Sequence, residues 1–163
     1  MNGTVSEKAL SLLPVTSAQL TAVPGLAETV RTIGADRGID YLADTEVAAL
    51  LYRHRELLRR MNSRGAWGGL LFAPGAVGAW FLIDSTDWGD FDAVVDGILL
   101  TPVAVLLSLS VYLLARAFHC RHVWVRGGTR DRVNGYLHVL SAAGIPYRAL
   151  PAWLKPTSGK RWR

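Results

Sequence analysis

This 163-residue chain is short of cysteine, of lysine, and of charge over two long runs. A single cysteine, Cys120, excludes an internal disulfide framework and any multi-cysteine zinc site, so the fold must rest on packing. His119 and His122 flank it, but three donors within four residues and no distant second pair are too cramped for a tetrahedral metal centre. Only 3 lysines stand against 15 arginines, and with abundant Ala and Gly this composition suits a bacterial chain of GC-rich coding. Residues 65–83 and 97–115 contain no charged side chain at all. That absence argues against proton relay or ion conduction within these runs, since such functions nearly always use an ionisable group in the apolar zone.

Two further absences bear on chemistry. No nucleophile, base and orienting group can be assembled from the motifs present, so an enzyme is not expected. Gly127-Gly128 precedes a helical pattern but lacks both the GxGxxG spacing and a following Gly-Lys-Ser/Thr, so it reads as an ordinary turn and no cofactor is expected.

What is present is apolar and directional. Hydrophobic residues make up 50% of the chain, and the mean hydropathy of +0.21 is high for a soluble domain of this length. Each uncharged run has 19 residues, which at about 1.5 Å per residue nearly matches the ~30 Å hydrocarbon layer of a bilayer. Neither run has the polar face that a buried helix of a soluble bundle normally keeps, and both read as transmembrane helices. Residues 1–64 carry a net +1, residues 84–96 carry −5 and residues 97–163 carry +9. Basic residues are retained on the cytoplasmic side, so both termini are expected there and the loop outside. Trp67, Trp80 and Tyr112 fall where interfacial anchors belong.

The loop holds Asp84, Asp87, Asp90, Asp92 and Asp96. A calcium loop needs ligands at alternating positions, a sixth-position Gly and a twelfth-position Glu, and the set 84, 87, 90, 92 and 96 does not match it, so a solvated connector is expected. Residues 1–43 are broken by Pro14, Pro24, Gly25, Gly34 and Gly38 into an arm that needs another surface to pack on. Glu7 and Lys8 cancel and the following apolar stretch is short, so no signal peptide is expected at the amino terminus. In 44–64, Val47, Leu50, Leu51, Leu57, Leu58 and Met61 share one helical face, with His54 near its centre, and Arg53, Arg55, Glu56, Arg59 and Arg60 fall on the rest of the circumference, with Arg64 just before the first span. A neutral, hydrogen-bonded imidazole is the expectation for His54, because no second ligand recurs at i+3 or i+4. Residues 122–126 read as a strand, 129–143 as a helix capped by Thr129 and stopped at Gly144, and 146–150 as a second strand. The tail interleaves Trp153 and Trp162 with Lys155, Lys160, Arg161 and Arg163, which suits anionic lipid or an acidic partner better than nucleic acid.

The expected fold is therefore mainly α and integral to the membrane. It is a two-span transmembrane helical hairpin, 65–83 and 97–115 joined by the acidic loop 84–96. A cytoplasmic amphipathic helix at 44–64 precedes it, and a small cytoplasmic strand-helix-strand segment within 116–163 follows. Gly65, Gly69 and Ala73 repeat every four residues, as do Gly75 and Ala79, and rows of small residues let another helix approach closely. Pro74, at the middle of the first span, suggests a kink accompanying that contact. Two such rows exceed what one hairpin partner can cover. The expectation is a non-catalytic accessory or assembly subunit of a larger bacterial inner-membrane complex, with other integral membrane subunits and anionic headgroups as partners. A respiratory or other energy-transducing complex is the favoured host, on abundance alone. Arg53, Arg55, Arg59, Arg60, Arg64, Trp153, Arg161, Trp162 and Arg163 would form the lipid or partner surface. Two other classes fit the hairpin less well. A phage-type pore-forming protein would not need about 60 residues ahead of its first span, and a membrane-tethered regulator would use the basic tail to bind lipid or nucleic acid.

Overall fold

A computed structural model describes residue 7, residues 9–85 and 93–156, and residue 162, with side chains omitted at 85, 93–96 and 99. The described residues form helices α1 (Ser17–Thr21), α2 (Leu26–Arg37), α3 (Asp44–Ser85), α4 (Ala93–Arg126) and α5 (Thr129–Ala142), then short 3-10 turns at Tyr147–Ala149 and Ala152–Leu154. They divide into one unit of residues 1–58 with 122–163 and a second of residues 59–121.

The first unit is built by chain segments that cannot fold alone. The arm finds its surface in the same chain: Leu20, Leu26, Val30 and Tyr41 are buried with Val47, Leu50 and Leu51 of α3 and with Val133, Tyr136, Val139 and Leu140 of α5. Leu150 and Leu154 from the 3-10 turns close the cluster. The apolar stripe expected on 44–64 is thus spent inside the protein, at least through Leu51. Two glycines end α2 and α5 in the left-handed region, Gly38 at φ 61° and Gly144 at φ 75°. Each lets the next amide turn back onto a helical carbonyl, Ile39 to Gly34 at 3.2 Å and Ile145 to Leu140 at 3.0 Å, as in the Schellman motif. At the head of α3, Asp44 accepts from the Ser17 amide (2.7 Å) and hydroxyl (3.1 Å), which ties the arm to the long helix.

Both strands expected after the second apolar run are absent, which corrects the strand-helix-strand reading. Residues 122–126 continue α4 instead. HVWVR has β-type composition, but Cys120 and Trp124 are both buried at i, i+4 spacing, so packing holds the segment helical against its intrinsic preference. Residues 146–150 contain a 3-10 turn between Pro146 and Leu150, both in extended backbone conformations. Thr129 does not cap α5 either: Gly128, at φ 69°, is the N-cap and Thr129 is the first helical residue, buried.

The second unit contains the parts of α3 and α4 that are long and apolar enough to cross a membrane. The 42-residue α3 has Pro74 in its interior and the 34-residue α4 has Pro102. Each proline removes one ladder hydrogen bond without ending its helix. Along α3 the inward positions are Met61, Arg64, Gly68, Leu71, Gly75, Gly78 and Leu82, all buried or half-buried. Their alternating spacing of three and four is that of a coiled-coil seam.

Candidate functional site

The seam sets what the hairpin uses and what it leaves over. A Cβ at Gly68 would stand 2.8 Å from Leu114 Cγ, one at Gly75 2.8 Å from Leu107 Cδ2, and one at Gly78 3.0 Å from Val103 Cγ2. Three glycines of α3 therefore receive three branched side chains of α4, which brings the backbones close. The buried Ser110 hydroxyl then reaches across to donate to the Gly68 carbonyl at 2.7 Å. That bond gives α4 a fixed register on α3.

The small-residue rows read from the sequence are distributed differently. Gly75 lies on the seam, and Ala79 is half-buried beside it. Gly69 and Ala73 are exposed and Gly65 is half-buried, and a Cβ added at Gly65 or Gly69 would meet nothing within 4 Å. Gly68 and Gly78, which carry the contact, were missed. The signal was available in the three-four alternation from Met61 to Leu82, but a helix this rich in small residues offers several rows at once.

The exposed surface of this unit is unusually apolar. Trp67 is 57% exposed, Val77 69%, Trp80 74% and Phe81 70% on α3, with Ile98 69% and Phe118 68% on α4. Near the α3 start of the unit, Arg64 donates from Nη1 to the buried Cys120 sulfur at 3.1 Å, so the one thiol is enclosed. His119 and His122 are exposed. No three His, Cys, Asp or Glu side chains converge among the described residues.

The first unit holds a different constellation, around His54. The imidazole is wholly buried, and the Trp124 indole N–H donates to its Nδ1 at 3.1 Å. An accepting Nδ1 puts the neutral ring's proton on Nε2. Trp153 and Trp162 complete the enclosure, with ring centroids 6.3 and 5.2 Å from the imidazole, and Arg55 lies over Trp153 at 5.8 Å. Trp162 is held by Asn134, which accepts from its amide at 2.9 Å and donates to its carbonyl at 3.0 Å. Burial pushes the His54 pKa down to about 4, while the nearby Trp153 backbone favours the charged form without completing a hydrogen bond to Nε2. The imidazole is a structural tie between α3, α4 and the tail. Trp124 was not singled out in the sequence, because its segment reads as a strand.

Of the proposed lipid or partner surface, Arg53, Arg55, Arg59 and Arg60 are exposed and Arg64 is half-buried. Trp153 and Trp162 are half-buried, their rings packed around His54. Arg161 and Arg163 lie outside the described residues, as do Asp87, Asp90 and Asp92 of the acidic loop. The chain matches no family model, no curated protein and no solved structure.

Proposed function

We infer that this is an integral membrane protein of a bacterial inner membrane, multi-pass with both termini cytoplasmic, acting as a non-catalytic accessory or assembly subunit of a larger membrane complex. A respiratory or other energy-transducing complex remains the favoured host class. The observation carrying the subunit reading is the exposed row at Gly69 and Ala73, on a helix whose hairpin contact is made instead through Gly68, Gly75 and Gly78. Membrane insertion is supported by burial: only 11% of the most apolar window of either long helix is buried, whereas a core helix of a soluble protein would be mostly covered. Exposed tryptophan, phenylalanine and isoleucine along both long helices suit contact with hydrocarbon.

In lipid there is little hydrophobic drive between helices, so association depends on close backbone approach. Gly69→Leu should therefore release partner subunits in mild detergent while the protein still inserts, and Val77→Leu, on an already bulky exposed position, should retain them. Gly68→Leu serves as the contrasting arm, since it presses on Leu114 within the hairpin itself. Retention of the same partners by Gly69→Leu, or a wild-type protein that isolates alone, would remove the main support for a subunit role.

Topology has its own test. Native Cys120 is a poor reporter because burial alone protects it. In a Cys120→Ser background, a cysteine replacing Ser85 is expected to react with an impermeant thiol reagent in intact cells, and one replacing the exposed His122 only after permeabilisation. The reverse pattern would invert the arrangement.

A further inference from the structure

Between α3 and α4, within the second unit, lies a cleft of about 220 Å³ lined by Met61, Asn62, Gly65, Leu114, Phe118 and Arg121. It is an open groove, smaller than the ~300–1,000 Å³ pockets that enclose drug-sized ligands, so an occupant would lie along the helix surface. Gly65 makes the room, since no atom lies within 4 Å of where its Cβ would stand. The lining is segregated by chemistry. Met61, Leu114 and Phe118 are apolar, and Phe118 is 68% exposed, while exposed Arg121 and Asn62 supply the hydrogen-bond donors.

Within this unit, charge outside 84–96 is basic. Arg59, Arg60, Arg64, Arg116 and Arg121 all belong to this unit, and neither 59–83 nor 97–121 contains an acidic residue. A guanidinium matches phosphate oxygens in two parallel hydrogen bonds, and the Asn62 amide can add another. An apolar slot ending in an arginine at the basic end of a helix pair is complementary to a molecule with an anionic phosphate at one end and hydrocarbon at the other. We propose that this cleft binds an anionic phospholipid, its phosphate on Arg121 and Asn62 and the first part of an acyl chain across Gly65 against Leu114 and Phe118. The site rests on the membrane reading above and deepens it: the hairpin carries a specific lipid in addition to whatever surrounds it.

The experiment uses the full chain, first scored for membrane insertion by resistance to alkaline carbonate extraction, so that failure of the membrane reading is seen separately. Carbonate-resistant protein is purified in a neutral detergent and titrated with phosphatidylglycerol, phosphatidylcholine or glycerol phosphate, with bound lipid counted by native mass spectrometry. Wild type should retain phosphatidylglycerol over phosphatidylcholine, and glycerol phosphate should not compete at equal concentration. Arg121→Gln should weaken phosphatidylglycerol retention about tenfold, as expected for losing one charge-assisted contact. Gly65→Leu should abolish it by filling the slot, and Val77→Leu, at an exposed position outside the cleft, should leave it intact. The site is refuted by equal retention of the two lipids, by unchanged retention in Arg121→Gln or Gly65→Leu, or by full competition from glycerol phosphate, which would make it a free-phosphate site.

Discussion

Replacing Gly135 with alanine is expected to destabilise the first unit by about 2–3 kcal/mol, although the same change on an exposed helical surface would gain roughly 1 kcal/mol in propensity. The cause is Tyr41. Its hydroxyl donates to the Arg132 carbonyl of α5 at 2.6 Å, and a Cβ on Gly135 would collide with that oxygen while standing 3.0 Å from Arg37 Cγ. Tyr41 is 1% exposed and packed on Tyr136 at a centroid distance of 6.0 Å, so it has no room to withdraw. Burial also pushes its pKa up to about 12 despite Arg37 and Arg132 nearby, so the donor stays protonated across any working pH. The decisive measurement is a double-mutant cycle with Tyr41→Phe. That change alone should cost about 1 kcal/mol for the lost hydrogen bond, but in the Gly135→Ala background it removes the colliding oxygen and should restore part of the loss. Amide exchange across Val133–Leu140 in the full chain reads the unit directly. Additive losses would show that Tyr41 and Gly135 do not meet as described.

This contact also shows where sequence reading stops. The two apolar runs and the stripe through Val47, Leu50, Leu51 and His54 were legible because each is a local pattern, a span without charge or a 3.6-residue period. Gly144 was legible as the stop after the last helix, whereas Gly34, read with Gly38 as a break in the arm, lies inside α2, which runs on to Arg37. Nothing local says that Tyr41 seats on a glycine more than 90 positions later, or that an arm broken by prolines and glycines packs against α5. Those are tertiary matches between surfaces that are each too small to fold alone.

The two lost strands fail for a related reason. Val123 and Val125 favour a strand intrinsically, yet Cys120 and Trp124 are burial sites one helical turn apart, and their packing decides. Gly68 was hidden in a different way. It competes with Gly65, Gly69 and Ala73 in a stretch where almost any spacing finds another small residue, so only the facing side chains Leu107, Leu114 and Val103 identify the row in use.

Acid should loosen the first unit well before its carboxylates as a class are neutralised, and His54 is the reason. In the unfolded chain it titrates near its ordinary 6.5, whereas in the fold burial holds it down to about 4. Above pH 6.5 both states are neutral and the group contributes no pH dependence. Between 6.5 and 4 the unfolded chain binds the proton and the folded one does not, so stability falls with pH and the loss levels off below 4. A shift of this size corresponds to about 3 kcal/mol. Protonation also removes the acceptor at Nδ1, leaving the Trp124 N–H facing another donor inside a box of three indoles, with the Arg55 charge already over Trp153. The tail carrying Trp153 and Trp162 should therefore loosen first, seen as faster amide exchange at residues 150–156. His54→Asn keeps a comparable acceptor for Trp124 but does not titrate. It should be less stable than wild type at pH 7.5, because the smaller side chain leaves a void, and it should lose most of the stability slope between pH 6.5 and 4. If the slope survives in His54→Asn, the acid sensitivity belongs to other groups, and the imidazole is not the tie that holds the tail.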